Sequence, residues 1–169
     1  RGEADAMLCG IVGKYQGTLK HVLDVLGHDP AVPSISSMSV VISDKGPLFF
    51  TDTHVQNNPS AEQIAEATLQ AAYRLKLFGI TPKVALVCHS NFGASDAPSA
   101  RKMREALQLI LQRAPRLEVE GEMHVDAALM PEVRERMFPD SRLSGAANLL
   151  VLPDLDAANA AYNLTRVMT

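Results

Sequence analysis

The sequence predicts an α/β fold with three layers, in which helices cover both faces of a mostly parallel sheet. Continuous apolar runs at 84–88 and 149–152 are typical of strands that are buried on both faces. Segments with apolar residues at helical spacing alternate with these strands, which is the order that gives a layered α/β structure. The chain has 169 residues, 47% of them hydrophobic, which suffices for one domain with a sizeable core.

The first third of the chain predicts a strand, a helix and an antiparallel hairpin. The strand covers 6–9, and a helix with one apolar face follows it and ends at Gly27. The apolar runs 39–42 and 48–50 flank the segment 44–47, Asp-Lys-Gly-Pro, which has the residues of a hairpin turn. This hairpin adds an antiparallel element to the predicted sheet.

The next helix has a start signal and a stop signal. Ser60 is a good N-cap residue, and Gln63 three positions later completes a capping box. Apolar residues then recur at helical spacing up to Leu75, and Gly79 supplies a left-handed end. The remaining elements are predicted as a helix at 99–113, a strand at 117–123, a helix at 131–137, a strand at 148–152 and a helix at 157–168, capped by Asp156.

Composition excludes several classes of protein. The net charge of −3 argues against a nucleic-acid partner, because such domains carry a basic excess. No apolar run approaches the ~20 residues of a membrane-spanning helix. Cys9 and Cys88 each lie in an apolar run, and two buried free thiols suit a reducing cytoplasm. Both chain ends look cut, since the first residue is Arg and the last ones continue a helical pattern.

The loop that follows strand 84–88 is the first candidate site, because ligands of parallel sheets bind beyond the carboxyl ends of strands. It is rich in hydroxyl groups and precedes a helix start, where free backbone N–H groups favour an anion. Its candidate contacts are Ser90, Asn91, Gly93, Ser95, Ser99 and, with Arg101 and Arg104 nearby, Lys102. The alternative is that Asp96 and Ser99 only cap the helix and that the basic side chains are solvated.

Two further strand ends carry weaker candidates. If the segment 122–126 stays extended, Glu122, His124 and Asp126 share one face and form an acid/base set or a metal site. The alternative is that Asp126 caps a helical turn, and no metal site is predicted. At the third strand end Asn159 lies in the first turn of the last helix, where it is a weak helix former and a candidate ligand contact.

Taken in order, these loops resemble the phosphate acetyl/butyryl transferase family, and the resemblance extends from residue 4 to residue 164. It is carried by the segments 50–55, 59–66, 78–85, 98–106, 121–122 with 126–128, and 148–151. Three details are similar to the phosphotransacetylase-like domain at the C-terminus of long bacterial NADP-dependent malic enzymes. The segment 89–96 replaces the Ser-Thr-Lys-Gly-Ser loop of stand-alone transferases, 123–125 replaces their Gln-aromatic pair, and Ala158 replaces a Gly. Val125 departs slightly from both patterns.

The resemblance implies a fold of two α/β subdomains like that of isocitrate and isopropylmalate dehydrogenases, with a CoA cleft between them. The chain, 1–169, would be a fragment that covers mostly the second subdomain, without the upstream malic enzyme domain. It also stops before the C-terminal segment in which family transferases carry a Ser-Arg pair and an Asp. Catalytic residues are therefore not assigned, and NADP and a divalent metal would belong to the malic enzyme domain.

The resemblance further implies an acetyl-CoA-binding regulatory domain of a malic enzyme that is a cytoplasmic homo-oligomer. In this interpretation a small-molecule CoA ester contacts the loop residues named above, with Asp126 and Asn159 as secondary contacts. One alternative is a working phosphate acetyltransferase that moves acetyl between CoA and phosphate. Another is a structural domain that serves only oligomerisation.

Overall fold

The computed structural model describes residues 9–10, 12–27, 30, 32 and 34–169. The chain divides into two compact units, 1–32 and 33–169. In the first unit the predicted helix is confirmed as α1, Tyr15–Leu26, which ends at Gly27 with a φ of 76°. The predicted strand at 6–9 lies outside the described residues except for Cys9.

The second unit contains one five-stranded sheet in the order β1-β2-β5-β3-β4. The strands β1 and β2 form the predicted antiparallel hairpin, while β2–β5, β5–β3 and β3–β4 are parallel pairs. The strand bounds are β1 Met38–Ser43, β2 Gly46–Thr51, β3 Lys83–Val87, β4 Glu118–Met123 and β5 Leu149–Val151. The prediction of a mostly parallel sheet with one hairpin is thus confirmed.

Helices cover both faces of this sheet, which confirms the three layers. One buried cluster joins alternate strand residues such as Leu86 and Leu149 to α2, Ala61–Leu77, and α3, Pro98–Arg113. A second cluster, on the opposite face, joins residues such as Ala85 and Leu150 to three other helices. These are α4 Val125–Leu129, α5 Pro131–Met137 and α6 Leu155–Met168.

The capping signals of α2 are confirmed. Gln63 N donates to Ser60 Oγ at 3.3 Å, and Ser60 N donates to Gln63 Oε1 at 2.9 Å, so the capping box is complete. At the other end Gly79 has a φ of 75°, and the amide of Ile80 donates back to the carbonyl of Leu75. Both ends of this helix are therefore fixed by groups that the sequence displays.

Two local predictions were wrong, and one short helix was not assigned. The N-cap of α6 is Asp154, whose side chain accepts from Ala157 N at 2.9 Å, and Asp156 lies in the first turn. The short helix α4 was foreseen only as the alternative of a helical turn at Asp126, because five residues are too few to show helical spacing. The thiols are not buried as predicted, since Cys9 is exposed and Cys88 is partly exposed.

A buried arginine fixes the segment between α5 and β5. Arg134 is fully buried, and its guanidinium donates to the carbonyls of Ala127, Leu143 and Gly145 at 2.7 to 2.9 Å. These carbonyls lie at α4 and in the chain that returns to the sheet. Arg134 therefore connects α4 and α5 to the chain that returns to β5.

Candidate functional site

The four parallel strands end at the same edge of the sheet, and each is followed by a polar segment there. These segments are 52–60 after β2, 88–97 after β3, the start of α4 after β4, and 152–154 after β5. This is the edge at which ligands of parallel sheets bind. The predicted site residues all lie on these segments or on the helices that begin there.

Glu122 connects β4 to the loop that follows β3. Its side chain is fully buried, and Oε1 accepts hydrogen bonds from Ser90 Oγ at 2.7 Å, Gly93 N at 2.9 Å and Arg104 Nη1 at 2.9 Å. Burial alone would raise the pKa of this carboxyl, but the hydrogen bonds from Ser90, Gly93 and Arg104 together hold the pKa below its ordinary value. Glu122 is therefore an ionised group inside the protein, and we call these four residues the Glu122 cluster.

The Glu122 cluster determines the path of the loop. The chain turns at Phe92 and Gly93, which have φ values of 49° and 88°. Phe92 N donates to the backbone carbonyl of Glu122 at 2.8 Å, and its ring stacks on Phe138 with centroids 4.5 Å apart. Ser95 N donates to Ser90 Oγ at 3.1 Å. The loop thus has backbone and aromatic contacts that add to those of the Glu122 cluster before α3 begins.

Arg104, on α3, is the counter-ion of Glu122. Besides that ion pair, Nη1 donates to the carbonyl of Ser95 at 2.9 Å, and Nη2 donates to Asp96 Oδ1 at 3.1 Å. The N-cap of α3 is Ala97, which has no side-chain capping bond, so Asp96 and Ser99 do not cap this helix. The capping alternative for these two residues is therefore wrong.

The remaining polar residues of this loop contact two histidines. Asn91 Oδ1 accepts from His124 N at 2.7 Å, and Nε2 of His124 lies 2.9 Å from the carbonyl of His89. The ring nitrogens of His89 lie 3.3 Å from Ser95 Oγ and 3.4 Å from Ser99 Oγ. Asn91, Ser95 and Ser99 thus share one polar surface between β3 and β4.

The segment 122–126 does not stay extended, so the predicted common face does not form. Glu122 is buried, whereas His124 and Asp126 are exposed, because α4 begins directly after β4. Asp126 lies in the first turn of α4, and its Oδ1 accepts from Ala127 N at 2.7 Å. Within the described part of the chain, no group of three or more His, Cys, Asp or Glu side chains is placed to hold a metal ion.

A second buried carboxylate organises the loop after β2. Asp52 accepts from the backbone N–H groups of His54, Val55 and Gln56 at 3.0 to 3.1 Å. It also accepts from the backbone amide and the hydroxyl of Ser37. Asn159 was the candidate contact at the third strand end. Its Nδ2 donates to the carbonyl of Thr53 at 3.2 Å, which places Asn159 against the loop after β2. Its Oδ1 accepts from Asn163 at 3.0 Å.

Lys102 reaches a different segment from Arg104. Its Nζ donates to Asn58 Oδ1 at 2.7 Å in the loop after β2. Partial burial lowers the pKa of Lys102, and the nearby Asp154 acts in the opposite direction. Arg104 and Lys102 therefore lie at two places on the edge, Arg104 beside the loop after β3 and Lys102 near the loops after β2 and β5.

Sequence reasoning named the loop residues but missed what holds them. Glu122 entered only as an acid/base or metal candidate, Arg104 only as nearby charge, and Asp52 not as a site residue at all. The signal for Asp52 was present, because Asp side chains in turns commonly accept a hydrogen bond from the backbone two residues later. Glu122 and Arg104 lie 18 residues apart, and no local pattern joins them.

The chain matches the phosphate acetyl/butaryl transferase family over residues 1–169. It belongs to that family. Among its relatives, the NAD-dependent malic enzyme of Rhizobium meliloti is 52% identical over all 169 residues, and the NADP-dependent malic enzyme of Escherichia coli is 50% identical over 99% of the chain. In both cases the chain spans 22% of the relative's length.

Members with transferase names are more distant. The phosphate acetyltransferase of Acetivibrio thermocellus is 35% identical over 98% of the chain, which spans 52% of that protein. A phosphotransacetylase structure from Streptococcus pyogenes superposes with a TM-score of 0.87 at 29% identity, over 94% of this chain and 49% of that one. The predicted α/β fold, a mostly parallel sheet with one hairpin, is thus shared with solved phosphotransacetylases. No helix of the described residues is long and apolar enough to cross a membrane.

Proposed function

We propose that the chain is the acetyl-CoA-binding regulatory domain of a malic enzyme, whose parent chain decarboxylates malate oxidatively to pyruvate. The observation that carries this proposal is the difference in similarity. Four malic enzymes are 46% to 52% identical to this chain, while four phosphate acetyltransferases are 31% to 35% identical. The relatives include NAD- and NADP-dependent malic enzymes. We propose NADP as the cofactor of the parent enzyme, as in the name of the E. coli relative.

The geometry of the strand-end loops supports an anionic ligand. The β3 loop is anchored from inside by Glu122, and α3 starts after it without a side-chain cap. Backbone N–H groups at such a helix start favour a phosphate. Lys102 and Arg104 add positive charge on the same helix. In this proposal the polyphosphate of acetyl-CoA contacts the segment 90–102, and Asp126 and Asn159 lie at its margins.

Regulation requires that acetyl-CoA bind two states of the parent enzyme with different affinity. A ligand that binds both states equally shifts nothing, however tightly it binds. In this proposal acetyl-CoA binds the inhibited state more tightly and lowers malate turnover. A cytoplasmic homo-oligomer and a two-subdomain fold with a cleft belong to the same proposal.

Titration of the complete protein with acetyl-CoA tests this function. We expect saturable heat in calorimetry and a matching fall in malate-dependent reduction of the dinucleotide. Lys102→Ala should weaken binding about threefold to tenfold, because it removes one cation from the site. Arg101→Ala is the matched control, since Arg101 is an exposed cation on the same helix. Absence of both binding and a change in turnover would leave only the structural, oligomerisation role.

A working phosphate acetyltransferase is the second candidate. It is favoured by the 35% identity with the A. thermocellus phosphate acetyltransferase and by the superposition on the S. pyogenes phosphotransacetylase. Phosphate-dependent conversion of acetyl-CoA to acetyl phosphate by the complete protein distinguishes the two candidates. Turnover in this assay supports the transferase, and its absence together with inhibition of malate oxidation supports the regulatory domain.

A further inference from the structure

Arg104 has one guanidinium nitrogen bonded to a buried carboxylate and one bonded to an exposed carboxylate. Nη1 donates to Glu122 Oε1 and to the carbonyl of Ser95, both at 2.9 Å. Nη2 donates to Asp96 Oδ1 at 3.1 Å, and the exposed fraction of the Asp96 side chain is 89% against 30% for Arg104. The inner half is therefore fixed, whereas the outer ion pair is of the exposed kind that water and salt weaken.

We propose that Arg104 binds a phosphate group of the ligand and that this phosphate displaces Asp96 from Nη2. The inference rests on the proposed function, because it names the residue that recognises the anionic part of the ligand at that site. It differs from the sequence-based expectation, in which Lys102 is the contacting cation. Glu122 acts through Arg104 and is a positioning residue.

The chemistry of the three groups supports an exchange. A guanidinium presents its N–H groups in a planar fork that matches the oxygens of a carboxylate or of a phosphate. A phosphate carries more negative charge than Asp96, so it is the stronger partner for Nη2. Because Glu122 and Ser95 already orient the guanidinium, little further side-chain freedom is lost when the phosphate binds.

Much of the loop that leads to Asp96 is exposed to solvent. The residues that precede Asp96 in the loop include Gly93 and Ala94, which are exposed and have little or no side chain. The start of α3 follows at Pro98, and its N-terminal dipole adds positive potential. Glu122, Asp96 and Arg104 together carry a net charge of −1, and release of Asp96 toward solvent removes the negative group nearest to the arriving anion.

The primary test is the variant Asp96→Asn in the complete protein, with acetyl-CoA and inorganic pyrophosphate as separate probes. If Asp96 competes with the ligand, the variant should bind both probes about fivefold more tightly at low salt, and the gain should shrink as salt rises. Glu105→Gln is the matched control, because it removes one exposed negative charge from the same helix. It should change affinity less than about twofold.

A double-mutant cycle with Arg104→Lys shows whether the gain acts through Arg104. Lysine keeps the charge but lacks the planar fork, so Asp96→Asn should add nothing in that background. A gain that persists there, or one that Glu105→Gln reproduces, would overturn the inference in favour of a general field effect. If Arg104→Lys does not fold, the comparison of Asp96→Asn with Glu105→Gln shows whether Asp96 in particular competes with the ligand.

The two probes separate this inference from the proposed function. If acetyl-CoA does not bind the unmodified protein, the proposed function is contradicted, while a fivefold gain in pyrophosphate affinity would still support Arg104 as the phosphate-binding residue. If acetyl-CoA binds and lowers malate turnover but Asp96→Asn leaves both affinities unchanged, only the present inference is contradicted. Failure of every variant to bind either probe contradicts both.

Discussion

The loops after β2 and β3 are each organised by one buried carboxyl group, but the two groups have different kinds of partner. Asp52 accepts hydrogen bonds from the backbone of its own loop, His54 to Gln56, and from Ser37. Glu122 lies on another strand than the loop it organises, and an arginine from α3 supplies its counter-charge. One loop is therefore fixed locally, and the other depends on three separate elements of the fold.

Because Asp52 and Glu122 have different partners, we expect the two loops to have different roles in ligand binding. The side chain of Asp52 is surrounded by N–H and O–H donors from its own loop and from Ser37. The Glu122 cluster brings a cation to the edge of the sheet and leaves part of it exposed. We therefore expect the β3 loop to bind the anion and the β2 loop to shape the neighbouring wall, which makes the two loops separable by mutation.

Removal of the Glu122 carboxylate should have the largest effect on stability. Glu122→Ala leaves Arg104, Ser90 and the amide of Gly93 without their acceptor, and breaking such a buried pair costs about 4 kcal/mol. Urea unfolding monitored by circular dichroism measures the loss. Glu122→Gln, which retains one acceptor oxygen, should lose less. Equal stability of Glu122→Ala and the unmodified protein would show that the cluster does not hold the loop.

Gly121→Ala should have the next largest effect, because it disturbs the strand that carries Glu122. A Cβ atom at Gly121 would lie 2.6 Å from the carbonyl oxygen of Leu86, and the φ of 149° adds backbone strain. Overpacking and strain together should destabilise the protein by about 3 kcal/mol in the same unfolding experiment. Gly17→Ala, which meets nothing within 4 Å, is the control and should be neutral or slightly stabilising.

Asp52→Asn should have a smaller and more local effect. The amide keeps one acceptor oxygen but turns an N–H donor toward the backbone donors, which we expect to destabilise the protein by about 2 kcal/mol. Hydrogen exchange should accelerate at His54 to Gln56 and stay unchanged at 90–97. Faster exchange in both loops would contradict their independence.

The smallest expected effect is a pH dependence that belongs to Glu122. Because the folded-state pKa of Glu122 is lowered from 4.5, its contribution to stability is present above about pH 4.5. It is lost as the pH falls through the lower, folded-state pKa. Unfolding free energies measured between pH 6 and pH 3, roughly the range over which carboxylates titrate, should fall less steeply for Glu122→Gln. If the unfolding free energy falls equally steeply with pH in Glu122→Gln and in the unmodified protein, ionisation of Glu122 does not contribute to stability.

Sequence patterns predicted the framework well because its signals are local. The capping box of Ser60 and Gln63, the Asp-Lys turn of the hairpin and the apolar runs of β3 and β5 each involve neighbouring residues. The start of α6 was misplaced by two residues, because Asp154 and Asp156 are equally good caps by residue type. The helix α4 was missed, because its five residues are too few to show helical spacing.

The candidate site was predicted only in part, for a different reason. The loop residues Ser90, Gly93 and Ser95 were identified by composition and by their place after a strand. Their partners Glu122 and Arg104 are far away in sequence and come together only when β4 pairs with β3 and α3 packs on the sheet. From the sequence alone, without the pairing of these strands, the buried ion pair of Glu122 and Arg104 looks the same as two separate exposed charges.

Hydrogen–deuterium exchange of the complete protein, with and without acetyl-CoA, tests most directly whether the β3 loop is the place where the ligand binds. We predict slower exchange in peptides that cover 90–97 and the start of α3, and unchanged exchange in the hairpin of β1 and β2. A fall in malate turnover on addition of acetyl-CoA without any protection of 90–97 would contradict the account.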